Sequence, residues 1–131
     1  MVILGIDPGT AIVGYAVLKK TKDGGAKLLK SGAIRPASRA KEDRLAEIAS
    51  RFRSLIDIHR PDYIALEKIF FSKNIKTALS VAEARGVLLL TAKEQSIRVF
   101  EYTPNEVKVA VTGYGKADKR QVKEMVKTIL K

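Results

Sequence analysis

The chain has 131 residues, 46% of them apolar, which gives one domain with room for a core and excludes a disordered chain. It has no cysteine, which excludes thiolate metal sites, thiol nucleophiles and a disulfide framework. Its 25 lysines and arginines outnumber 14 acidic residues, a formal net charge of +11, so nucleic acid is the leading partner. Val2 to Asp7, Ala11 to Lys19 and Ala26 to Ile34 read as strands, rich in branched aliphatics and separated by Pro8-Gly9-Thr10 and Lys22-Asp23-Gly24-Gly25. Asp23-Gly24 suits a hairpin turn, and three consecutive strands predict an antiparallel meander. Ser38 to His59 reads as a helix, with Leu45, Ile48, Phe52, Leu55 and Ile56 at helical spacing, Ser38 in the N-cap region and Pro61 beyond its end.

Asp62 to Leu66 is nearly all apolar and reads as a strand buried on both faces. Asn74 to Gln95 reads as a helix that is apolar almost all round. Such a helix must bury two sides. One would lie on the sheet, and a second subunit is the economical cover for the other. Ile97 to Tyr102 is a fifth strand. Pro104 opens a short helix through Val111, at the turn where its missing N–H costs nothing. Asp118 to Leu130 is a last helix, capped by Asp118. The sum is an α/β domain over residues 1–131 with a five-stranded mixed sheet. The longest apolar stretch, around Gly86 to Leu90, is too short to span a bilayer, no leader pattern opens the chain, and no helix pairs a basic face with exposed bulky apolar residues. The expectation is a soluble cytoplasmic protein.

Two carboxylates stand out. Asp7 ends the first strand and Glu67 follows the fourth. A strand-borne carboxylate is costly to desolvate unless something binds it. If the two strands are parallel neighbours, both carboxylates project at one end of the sheet, where α/β folds place their sites. Carboxylates, water and phosphate oxygens suit magnesium or manganese, and such ions serve phosphodiester cleavage. The bland alternative is an Asp-Pro-Gly turn and a surface glutamate. A strand, Asp-x-Gly-Thr and a strand is also how sugar kinases, actin and heat-shock ATPases cradle phosphate, but that group needs two such domains.

Ile69-Phe70-Phe71-Ser72-Lys73 follows Glu67 directly. An exposed loop phenylalanine there could stack on an unpaired base; two core rings are the plain alternative, and one ring in and one out is expected. From Lys108 onward seven basic residues face only Asp118 and Glu124. Within that stretch the loop around Gly113-Tyr114-Gly115-Lys116 could grip phosphates, although Lys123 and Lys127 equally suit a solvated helix face. His59 meets a helix dipole and takes no catalytic role.

The segments ILGIDPGTAIVGYAV, PDYIALEKIFFSKNIKTALSVAEARGV, VFEYTPNEVK and VTGYGKADKRQVKEMV together resemble the RuvC-type Holliday junction resolvases, of ribonuclease H-like fold, through essentially the whole chain. The resemblance implies a homodimer, formed through the Asn74–Gln95 helix. It would bind a four-way DNA junction and nick opposed strands symmetrically with Mg²⁺, or Mn²⁺ as substitute, in recombination and repair, with a branch-migration motor as a further partner. Asp7 and Glu67 look like two of four acidic metal ligands, Phe70 like the aromatic that stacks near the junction centre with Lys73 beside it, and Lys108 and Lys119 like basic residues that contact DNA, Lys119 assisting at the scissile phosphate. Lys116 joins them on the basic loop. The family's other two acidic ligands lie on a further helix, after the stretch matching VKEMVKTILK. The sequence ends at Lys131, so the expectation is a domain cut before its last helix that binds junctions but cuts poorly or not at all. The alternatives are a non-catalytic junction-binding protein on the same fold and a ribonuclease H-like nuclease acting on RNA.

Overall fold

The computed structural model describes residues 1–9, 11–69 and 74–130. Phe70, Phe71 and Lys73 lie outside the described residues, and so does the expectation of one ring in and one out. The elements run β1 (Val2–Pro8), β2 (Val13–Lys20), β3 (Ala26–Ile34), α1 (Lys41–His59), β4 (Tyr63–Glu67), α2 (Ile75–Glu94), β5 (Arg98–Tyr102), α3 (Pro104–Thr112) and α4 (Lys119–Ile129). They form one five-stranded sheet in the order β3-β2-β1-β4-β5. β1, β2 and β3 pair antiparallel, while β4 lies parallel to both β1 and β5. The meander and the mixed sheet are as expected.

α1 and α2 cover one sheet face. Leu4, Ile6, Val17, Ile34, Ile64 and Leu66 from the strands meet Phe52, Ile56, Leu88 and Ala92 from the helices in a single core. Phe52 at its centre is fully buried. Strand side chains alternate between faces, so the opposite face carries Gly5, Asp7, Gly14, Ala16, Ala65 and Glu67.

Three local expectations are corrected. β4 is not buried on both faces. Ile64 and Leu66 are buried, but Tyr63, Ala65 and Glu67 are half-buried on the open side. α1 begins at Lys41 rather than Ser38, and its N-cap Ala40 makes no side-chain cap bond. Ser38 is used elsewhere: the amides of Ala37 and Ser38 and the Ser38 hydroxyl all donate to the Glu47 carboxylate, which ties the incoming loop to the helix flank. β2 begins at Val13 rather than Ala11, because the amide of Gly9 donates to the Ile12 carbonyl at 2.9 Å and closes a tight turn first. A Cβ on Gly9 would lie 2.6 Å from that same oxygen, so the turn requires glycine.

α2 shows the two-sided character expected of it. Ala84, Arg85, Leu88, Thr91 and Ala92 are buried. On the other side Ile75, Leu79 and Leu90 are 75%, 60% and 60% exposed, and Ala82 and Gly86 between them are exposed as well.

Candidate active site

The parallel register of β1 and β4 pairs Ile6 with Leu66. Asp7 and Glu67 each follow by one residue, so they emerge side by side at the C-terminal ends of adjacent strands. Both turn to the open face, since Ile6 and Leu66 point into the core. Asp7 is exposed and Glu67 half-buried. The Glu67 carboxyl is pushed up to about 7. Burial is the largest cause, followed by a hydrogen bond to Asp7 and the charge of Asp7, with Lys108 pulling the other way. A second negative charge beside Asp7 is costly, so Glu67 keeps its proton to a higher pH than an ordinary carboxyl.

The pair lies on a ridge between two clefts. The larger, about 810 Å³, opens over the sheet and has a floor of Gly5, Gly14, Ala16 and Ala65, with Arg35 and Tyr102 at its sides. Small side chains on three strands keep this floor low beneath the carboxylates. The smaller cleft, about 200 Å³, runs past Pro8, Lys68, Thr77 and Pro104. A polyanion backbone crossing the ridge would pass both carboxylates.

Carboxylate oxygens are hard donors suited to Mg²⁺ or Mn²⁺, and the raised Glu67 carboxyl marks a site short of positive charge. Asp7 and Glu67 therefore fit a divalent cation, but weakly: among the described residues no group of three or more His, Cys, Asp or Glu side chains could hold one.

The basic residues divide. Lys108, half-buried on α3, is near enough to act on Glu67. Its helix is set by Pro104 at the first turn and by Thr103, whose hydroxyl accepts from the Glu106 amide at 3.1 Å. Lys116 and Lys119 are exposed. Lys119 is the first residue of α4, directly after its cap Asp118.

One residue at the site escaped the sequence reading. Arg85 of α2 is 9% exposed, yet charged. Its Nε donates to the backbone carbonyl of Glu67 at 3.2 Å, and its guanidinium meets the Glu101 carboxylate at 3.0 Å. A signal was present. Val81, Arg85, Leu88 and Ala92 share one helix face, so an arginine falls where the core-facing stripe requires an apolar residue.

Residues 3–131 match the family model described as crossover junction endodeoxyribonuclease RuvC. A curated relative of that description from Finegoldia magna is 50% identical over all of this chain and 80% of its own length. Another, from Caldicellulosiruptor saccharolyticus, is 43% identical over 99% of this chain and 79% of its own length. Among solved structures, Thermus thermophilus RuvC in complex with a Holliday junction substrate superposes with a TM-score of 0.90 at 36% identity, covering 99% of this chain and 79% of that one. The yeast mitochondrial Holliday junction resolvase shares the fold, with a TM-score of 0.71 at 15% identity, over 96% of this chain and 63% of that one.

Proposed function

The chain belongs to the RuvC family of crossover junction endodeoxyribonucleases, and from that membership we propose that it resolves four-way DNA junctions in recombination and repair, by paired symmetric nicks through metal-dependent phosphodiester hydrolysis. The observation that carries the site is the meeting of Asp7 and Glu67 at the ends of two parallel strands, on the ridge between two clefts. The net charge of +11 suits the polyanion.

Asp7 and Glu67 would hold Mg²⁺, with Mn²⁺ as substitute. When bound, such a cation activates a water and stabilises the leaving oxygen. The chain's own groups do the rest. The rigid strand ends fix both carboxylates, and the low floor of glycines and alanines admits the sugar-phosphate backbone. Lys108 offsets negative charge beside Glu67. Lys119 would stabilise charge on the attacked phosphate, with Lys116 and Lys73 on the flanking backbone and Phe70 stacked on a base. For Phe70 and Lys73 the support is the family resemblance, for Lys119 the resemblance and the basic stretch from Lys108 onward, and for Lys116 that basic stretch.

The exposed apolar stripe of α2 supports a homodimer, which would set two such sites for two nicks. The whole chain forms one ribonuclease H-like domain. Among the described residues no helix is long and apolar enough to cross a membrane. A cytoplasmic setting rests on the sequence reading, and a branch-migration motor as partner on the resemblance.

Junction binding without cutting is the second reading. Its ground is that among the described residues no group of three or more His, Cys, Asp or Glu side chains comes together, and a divalent ion held by two carboxylates is short of anionic oxygen. An end-labelled four-way junction, a linear duplex and a structured RNA, each incubated with Mg²⁺ and with EDTA, separate the possibilities. Symmetric nicks in the junction alone, dependent on Mg²⁺, support the resolvase. Tight junction binding without nicks supports the second reading. Equal binding to all three nucleic acids sinks both, and cutting of the RNA alone transfers the site to the RNA-directed alternative.

A further inference from the structure

A guanidinium loses much of its hydration when α2 packs onto the sheet, and an ion pair of this kind is weak evidence for stability. Apolar replacements of such pairs are often neutral or better. The position of Arg85 therefore calls for a reason beyond holding the fold together. The geometry supplies one. The β1–β4 pairing ends at Ile6 with Leu66, whereas β4 stays paired with β5 as far as Glu67 with Tyr102. Glu67 is thus the first residue of β4 past its seam with β1, and it is the residue that must face Asp7. From the far side of the sheet the Arg85 Nε donates to the Glu67 carbonyl at 3.2 Å, while its terminal nitrogen is anchored at 3.0 Å on Glu101. Glu101 pairs with Leu66 in register, so it faces the helical layer from which Arg85 comes. On the β5 side the amide of Lys68 donates to the Tyr102 carbonyl at 2.8 Å. The peptide carrying Glu67 is held from two directions, and Arg85 supplies one of them.

We infer that Arg85 is a positioning residue for the metal site: through the Glu67 carbonyl it holds that carboxylate against Asp7, and it ties the site to α2. This rests on Asp7 and Glu67 being the metal-binding pair. The planar fork matters, because one nitrogen reaches the carbonyl while another reaches the carboxylate; lysine, a single point charge, cannot make both bonds in that geometry. Glu101 orients the fork and does not touch Glu67.

The test is Mn²⁺ binding by the whole chain, followed by the loss of the free-ion electron paramagnetic resonance signal, for wild type, Arg85→Met, Arg85→Lys and Glu101→Gln, beside a thermal melt of each. The side chain of Glu101 is 36% exposed, so it can hydrate when Arg85 becomes Met and leaves no buried orphan charge. Outer-shell groups of this kind cost about tenfold or more in metal affinity when removed. Arg85→Met should fold and lose roughly tenfold in Mn²⁺ affinity, Arg85→Lys should recover part of it, and Glu101→Gln should stay near wild type, since its amide oxygen still accepts from Arg85. Wild-type affinity in Arg85→Met overturns the inference while leaving the site reading intact. So does a loss in Glu101→Gln as large as that in Arg85→Met and parallel to the melting temperatures, which would mark a structural role alone. If Arg85→Met does not fold, Arg85→Lys against Glu101→Gln decides on the same terms. Wild type that binds no Mn²⁺ overturns the site reading and the inference together.

Discussion

Glu67 lies beside Asp7 across the β1–β4 seam and is pushed up to about 7 by burial, by a hydrogen bond to Asp7 and by the charge of Asp7. The folded, metal-free protein therefore keeps a proton on Glu67 that the unfolded chain releases near 4.5. Where the native state binds more protons, stability falls as pH rises. The contribution is fully present below about 4.5 and is lost as pH climbs through about 7. Glu67→Gln removes this dependence, so its melting temperature should exceed that of wild type at pH 8 without metal, and the gap should close at pH 5. A wild-type melt that ignores Glu67→Gln across this range would show that the pair is not strained.

A divalent cation held by Asp7 and Glu67 would replace the Glu67 proton, so metal and proton would compete for the same oxygens. Mn²⁺ titrations at pH 6 and pH 8 should show tighter binding at pH 8. Asp7→Asn removes the anion that the cation needs and should reduce binding and any cutting to background. Junction affinity should change by less than about threefold, because phosphate contacts elsewhere supply most of it. Gel-shift and cleavage assays on the same samples separate the two effects.

The fold was largely legible in the sequence because local and long-range signals agree. Alternating aliphatics, turn glycines and caps mark almost every element to within a residue or two, and Asp118 caps the last helix as expected, in a reciprocal box with Gln121 that the structure adds. The proximity of Asp7 and Glu67 was legible only on the condition that β1 and β4 pair in parallel, which the structure meets. What escaped depends on tertiary contacts. The open face of β4 follows from which strands the helices cover, not from its apolar composition. Ser38 resembles a cap, yet Glu47, nine residues on, competes for it. Arg85 looks like a surface interruption until Glu67 and Glu101 are seen above it.

The exposed stripe of α2 sets the oligomeric prediction. Leu79 and Leu90 are each 60% exposed and lie on one face with Ala82 and Gly86 between them. Small residues at the middle of such a stripe let a second helix approach closely. Leu79→Lys should convert a dimer to a monomer in sedimentation equilibrium, with little change in melting temperature at low protein concentration, because Leu79 is outside the subunit core. Paired nicking should give way to single nicks. A monomeric wild type would remove α2 from the interface.

α4 begins at Lys119, and its register depends on Asp118, whose carboxylate accepts from the Gln121 amide at 2.8 Å while the Gln121 side chain accepts from the Asp118 amide at 2.9 Å. No residue of α4 is buried, so the helix has little packing to fall back on. Asp118→Ala should cost about 1 kcal/mol, expressed as local fraying in amide exchange over residues 119–129 rather than as a drop in the main melt. Lys119→Ala leaves the cap intact and removes one cation. If Lys119 grips a phosphate, the slope of log K for junction binding against log salt should fall by about one, uniformly across junction sequences. Asp118→Ala should loosen the same contact without deleting the charge, so it should weaken binding less than Lys119→Ala does. A salt slope unmoved by Lys119→Ala would return that residue, with Lys123 and Lys127, to a solvated helix face.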